Sequence, residues 1–174
     1  QSQMTFVEMR NAMVEKLWDY LGCPVVLADQ VQPEAPFPFV IYSVTTPYIP
    51  DNTMGDYRTL PDGEDSAVVR RVMPTATFSF TCCSMNRGED GAFISGADEA
   101  YELADEAMGW FLHTGYMDIS ALGITVVEVG QVQDRTTLVI DEAARRFGFD
   151  VQIRYTREDT LNVPSIKKVT IKKE

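Results

Sequence analysis

Apolar residues along this chain switch between two periods, and the switches mark out its elements. Phe6, Met9, Met13, Leu17 and Leu21 recur at intervals of three and four, which places them on one face of a helix. Thr5 and Glu8 form a capping box at its start, the hydroxyl and the carboxylate each satisfying an orphan backbone donor. Gly22 stops it. A short strand from Pro24 to Ala28, a connector through Pro33, Pro36 and Pro38, and a strand from Phe39 to Thr46 follow. The stretch from Val68 to Ser84 reads as a third strand. Within it Ala76, Phe78, Phe80 and Cys82 share one face, and Thr75, Thr77, Ser79, Thr81 and Cys83 the other. A second helix is predicted from Ala97, Ala100, Tyr101, Ala104, Met108 and Phe111, capped by Ser95 and ended by Gly115. Strands from Ile124 to Val129, Phe147 to Thr156 and Val163 to Ile171 complete the set. In the middle one Phe147, Phe149, Val151, Ile153 and Tyr155 alternate strictly with polar residues or glycine.

The order α-β-β-β-α-β-β-β, free of repeats, predicts an α+β fold: a mostly antiparallel β-sheet with two α-helices packed on one face. One domain spans 1–174. The pattern lapses at about 47–67, where Pro50 to Asp56 and Pro61 to Ser66 are rich in turn formers and acids. A loop of that length in a compact domain is usually functional or disordered. If the flanking strands extend into it, it is a projecting hairpin arm. Tyr42, Tyr48 and Tyr57 surround it, and tyrosine is enriched at interfaces. Tyr48, Asp51, Tyr57 and Arg58 are therefore the expected arm contacts.

Composition narrows the class. The chain has 174 residues, 45% hydrophobic and 24% charged, the profile of a globular protein. No apolar run approaches the ~20 residues of a membrane span, and the N-terminus lacks the pattern of a secretory signal. Gln1 in first position is expected of a trimmed chain, or of one with extra residues ahead of Met4. The three cysteines, Cys23, Cys82 and Cys83, have no ligand spacing. The adjacent pair points to opposite faces of a strand, so reduced thiols are expected.

The net charge of −11 argues against general nucleic-acid affinity. Its distribution is uneven. From Arg145 onward eight bases face four acids, so that segment carries +4 and the rest of the chain −15. The basic portion includes the C-terminal strand and tail at about 158–174. Such asymmetry lets the basic end of one copy meet the acidic body of another.

No constellation points to catalysis. His113, the only histidine, is predicted in the last helical turn, where a cation suits the helix dipole. Glu64-Asp65, Glu89-Asp90 and Asp141-Glu142 are adjacent pairs, unlike the spaced carboxylates of an acid/base site. Asp62-Gly63-Glu64-Asp65 lacks the alternating ligands of a calcium loop. There is no phosphate-binding glycine motif. Catalytic residues, cofactor and metal are all expected to be none.

Two passages carry a resemblance. One is Pro24-Val25-Val26-Leu27-Ala28-Asp29-Gln30 followed by Pro36-Phe37-Pro38-Phe39-Val40-Ile41-Tyr42. The other is Val129-Gly130-Gln131-Val132-Gln133-Asp134, a polar connector, then Phe147-Gly148-Phe149-Asp150-Val151-Gln152-Ile153-Arg154-Tyr155. With a variable arm, the Ala76 to Cys82 strand and a long helix between them, the chain resembles the neck or tail terminator proteins of tailed bacteriophages over roughly Met4 to Tyr155.

The resemblance implies a structural virion protein, not an enzyme. Copies close into a ring, a hexamer, which caps the tail tube, ends its polymerisation and offers a surface for joining the neck or head. It implies the tail tube protein, a neck or head-completion protein and the tail sheath as partners, DNA only passing through the lumen, no membrane, and assembly in the bacterial host cytoplasm. Asp134, Arg135, Asp141, Glu142, Arg145 and Arg146 are the expected subunit-interface residues, because opposite charges in one exposed connector can pair head to tail. Asp56, Asp62, Glu64 and Asp65 are expected to line the lumen. The alternatives are a head–tail connector or tail-completion protein of the same virion and a non-catalytic host-directed binding module, with an enzyme third.

Overall fold

The structure is a computed structural model that describes residues 3–29, 36–137, 144–166 and 172. Helix α1 (Phe6–Leu21) starts on the Thr5–Glu8 capping box and ends at Gly22 in the left-handed conformation. It buries Met9, Met13, Val14 and Leu17. Strand β1 (Val25–Leu27) runs parallel to β2 (Phe39–Ile49). Next come β3 (Asp56–Asp62), β4 (Asp65–Val72), β5 (Thr75–Met85), and a small hairpin of β6 (Arg87–Glu89) and β7 (Ala92–Ile94). Helix α2 (Gly96–Gly109) passes through a π-helical turn, Trp110–Thr114, into α3 (Tyr116–Ala121). Strands β8 (Thr125–Val129), β9 (Gln133–Asp134), β10 (Ala144–Arg154) and β11 (Arg157–Val163) complete the described chain.

The main sheet has the order β1-β2-β5-β10-β8, with β9 pairing the other half of the β10 edge. All its pairings except β1–β2 are antiparallel. α1 and α2 lie on one face, as the sequence pattern predicts. Met13 and Leu17 from α1, Ala104, Ala107, Trp110 and Phe111 from α2 and its π turn, and Phe78, Phe80, Phe149, Val151 and Ile153 from the sheet form one buried cluster. The ring of Phe80 stands 5.1 Å from that of Phe111 and 5.9 Å from that of Phe149. The sheet is thereby locked to the far end of α2. The near end is locked by Gly96, whose N–H donates to Asn86 Oδ1 (2.8 Å). A Cβ at Gly96 would stand 2.6 Å from the Met85 backbone, so only glycine lets the helix seat this closely on the end of β5.

Several boundaries differ from the sequence pattern. The stretch from Val68 to Ser84 is two strands, interrupted at Met73-Pro74, where proline cannot donate to a ladder. The last strand is Arg157–Val163, not Val163 to Ile171, and 167–171 lie outside the described residues. All seven of its residues are exposed, so no burial alternation marked it in the sequence. The second helix continues past Gly115 into α3. Gly115 is needed for space: a Cβ there would stand 2.4 Å from the buried Trp110 indole. On α2 itself Leu103 and Ala107 are buried, while Tyr101, expected on the buried stripe, is about half exposed.

Candidate functional site

The 47–67 region is an arm, as the extended-strand reading expects, and it recruits a third strand. β3 and β4 form a hairpin over Gly63 (φ 65°), the first central residue of a two-residue turn closed by the Asp62–Asp65 pair. This is the type II′ arrangement that fits the twist of a hairpin. β11 pairs along the other edge of β4, giving the order β11-β4-β3. β10 pairs β5 from Ala144↔Met85 to Arg154↔Thr75, and β11 pairs β4 from Arg157↔Val72 to Val163↔Ser66. No residue is gained or lost between the two ladders. The arm therefore continues, in register, a ribbon already bolted into the core.

Its base is braced by short contacts. The Tyr155 N–H donates to Pro74 O (3.1 Å) and the Tyr155 hydroxyl to Pro47 O (3.0 Å). Arg154 Nη1 donates to Met73 O (2.8 Å), and Arg70 Nε to Met54 O (3.0 Å). Asp51 accepts from the Thr53 N–H (3.0 Å), the Thr53 hydroxyl (2.8 Å) and the Met73 N–H (3.1 Å). These bonds, the Thr53 backbone first, hold its carboxyl below the usual range. Asp51 thus shapes the turn at the arm's root. Tyr48 lies under Arg157, whose guanidinium carbon is 5.5 Å from the ring centroid, within cation–π range. Arg157 is also paired with Asp159 at 3.0 and 3.2 Å.

Beyond the base the arm is a single layer. Every residue of β3 and of β11 is exposed. Cross-strand partners share a face, so Tyr57, Arg70 and Asp159 line one side with Thr59, Val68 and Leu161 beyond them. Arg58, Val69 and Thr160, then Leu60, Ala67 and Asn162, line the other. Leu161 is 65% exposed. The acids expected at the lumen are split: Asp56 sits at the root opposite Arg71, whereas Asp62, Glu64 and Asp65 sit at the tip. Asp65 Oδ1 accepts the Ser165 N–H (2.9 Å), which straps the chain after β11 to the tip.

The expected interface charges converge through the β9–β10 pairing, which sets Asp134 opposite Phe147. Arg135 lies on the open face of the main sheet. Its Nη1 donates to Ser79 Oγ (2.7 Å) and Thr81 Oγ1 (3.0 Å), and its Nη2 to Asp150 Oδ1 (3.1 Å). Its backbone N–H donates to Arg146 O (2.8 Å). Thr136 Oγ1 accepts the Arg146 N–H (2.9 Å). Asp134 accepts the Thr136 N–H (2.9 Å), the first cause of its carboxyl's lowered pKa. Arg145 is half-buried beside them, and its charge lowers the Asp134 carboxyl further. Asp141 and Glu142 lie outside the described residues.

A family model for phage neck terminator proteins matches residues 11–174. The chain belongs to the phage neck terminator family. No curated protein matches it. A neck terminator is a structural component of the phage tail and neck, where it contacts other tail and neck proteins. The arm also displays Arg70, Arg71, Arg157, Leu161 and Val163, which sequence reasoning did not single out as contacts. The available signal was complementary charge: Arg157-Glu158-Asp159 lies across from Arg70-Arg71-Val72. Burial pushes the Cys23 thiol up to about 11 and that of Cys82 further still, so both are protonated at neutral pH. His113 is exposed on the π turn. Among the described residues no helix is long and apolar enough to cross a membrane, and no group of three or more His, Cys, Asp or Glu is placed to hold a metal ion.

Proposed function

We propose that this neck terminator closes into a homo-oligomeric ring, a hexamer, that caps the tail tube, ends its polymerisation and presents its opposite surface to the neck or head. The observation that carries the reading is the arm. A three-stranded sheet normally needs a covered hydrophobic face to be stable. Here both outer strands are exposed along their whole length, and the ribbon that holds them keeps the register of the core ladder across the break at Met73-Pro74. An element anchored so firmly and covered so little fits a clasp for a neighbouring subunit. A ring needs such head-to-tail contacts, made between two different surfaces of each copy.

The charged connector supports a second contact zone. Arg135 spends its donors within the subunit, which leaves Arg145, with Asp141 and Glu142, as the residues proposed to pair across copies. Light scattering over a range of protein and salt concentrations tests the ring, and electron microscopy with tail tubes tests the cap. A closed ring of about six copies, seated at tube ends, is expected. A monomer at every concentration that never binds tube ends overturns the reading.

A further inference from the structure

We propose that the lysine-rich C-terminal segment of one copy docks along the outer face of α2 and α3 of the next copy. This names the partner surfaces of a ring contact, and so rests on the self-associating reading above.

The receiving face is exposed, and no element among the described residues covers it. Its apolar part lies at the far end of the helix, where Leu112, Tyr116 and Met117 are 62%, 68% and 78% exposed. Its charged part is α2, which carries Asp98, Glu99, Glu102, Asp105 and Glu106 and no base. Among the described residues only Glu99 of these has a cationic partner, Arg87 (2.8 Å). Asp98, Glu102, Asp105 and Glu106 are exposed without an ion pair among the described residues. Asp98, Glu102 and Glu106 repeat at intervals of four, where like charges repel on a helix surface. A cationic partner relieves that repulsion.

The occupant has matching chemistry. Residues 167–174 read Lys-Lys-Val-Thr-Ile-Lys-Lys-Glu, four cations around two apolar side chains, Val169 and Ile171. Its point of departure is fixed, because the Ser165–Asp65 hydrogen bond puts the start of this segment at the arm's tip.

Reach decides which copy it meets. The far end of α2 is held over Phe80, five residues of β5 before the arm begins. The eight residues of β4 follow. At 3.3 Å per residue these come to about 40 Å of ribbon. Eight extended residues cover at most about 28 Å, less than that length of ribbon. An arm that extends away from the core therefore keeps the segment short of the α2 acids of its own copy, and the contact is assigned to another copy. The contact joins two different surfaces, as ring closure requires.

The full-length chain, half of it isotope-labelled, is cross-linked with a zero-length carbodiimide and analysed by mass spectrometry. Cross-links from Lys167, Lys168, Lys172 or Lys173 to Glu102, Asp105 or Glu106 that join labelled to unlabelled copies are expected. In parallel, a fluorescent peptide of residues 164–174 is titrated into the full chain. Its affinity is expected to fall at least tenfold with raised salt and at least tenfold in E102K/E106K. A peptide carrying glutamate at its four lysine positions, which is independent of any folding defect, is expected not to bind. Peptide affinity unchanged by E102K/E106K, or lysine cross-links confined to other carboxylates, overturns the proposal. A ring that forms without these cross-links sinks the tail contact and leaves the ring. A monomer that still binds the peptide through α2 supports the contact and sinks the ring.

Discussion

The guanidinium of Arg135 lies against Gly148, where a Cβ would stand 2.7 Å from Arg135 Nη1 and 2.5 Å from Phe80 O. One residue is absent of side chain so that the other can lie flat on the sheet and reach Ser79, Thr81 and Asp150. This relationship ties the loop after β9 to the two central strands.

Gly148→Ala is accordingly expected to destabilise the fold by about 1–3 kcal/mol, because the carbonyl of a central strand cannot move aside as a flexible side chain would. Arg135→Lys removes the planar fork and is expected to cost about 1–2 kcal/mol. Urea denaturation measures both. Amide exchange at 134–137 should quicken in Arg135→Lys, and unchanged exchange there would count against its anchoring role.

The arm predicts a separation of stability from assembly. Leu161 and Val163 are exposed on one face of β11, so L161D/V163D should change unfolding free energy by under about 1 kcal/mol. The same substitutions should weaken self-association at least tenfold in light scattering. Equal association in variant and parent would remove the arm from the interface.

Glu99 predicts a pH effect. Its carboxyl lies below the ordinary glutamate range, first through the hydrogen bond from Arg87, and it also accepts from Ser84 Oγ (2.7 Å). A folded pKa below the unfolded one adds stability that is fully present above the unfolded value and lost as pH falls through the folded value. Parent and Glu99→Gln should differ by about 1–2 kcal/mol at neutral pH. Their difference should shrink as pH drops below the usual carboxylate range near 4.3. A difference independent of pH would assign the effect to something other than this ionisation.

Asp65→Ala removes the acceptor that holds Ser165 at the arm's tip. Global stability should fall by less than about 1 kcal/mol, since the bond is exposed. Exchange at Ser165 and Ile166 should rise while β4 stays protected. A cooperative loss of protection across the arm would mean that the strap carries more of the arm than its geometry implies.

The two helices and the central strands were legible because each buries one face. Phe78 and Phe80, and Phe149, Val151 and Ile153, alternate with polar residues, and Thr5, Glu8 and Ser95 mark helix starts through bonds to their own nearby backbone. The family resemblance was also legible, because the order and spacing of local passages survive without knowledge of the fold. β3 and β11 were not, since strands exposed on both faces carry no burial period to read. Nor could any window foresee Gly115 making room for the Trp110 indole, or Arg135 closing on Asp150 rather than on another charge. Local pattern, set by burial and capping within a few residues, determined the class and the core of this protein. Pairings between residues some ninety positions apart, such as Asp159 with Arg70, depend on which strands the core brings together, and only the tertiary structure decided them.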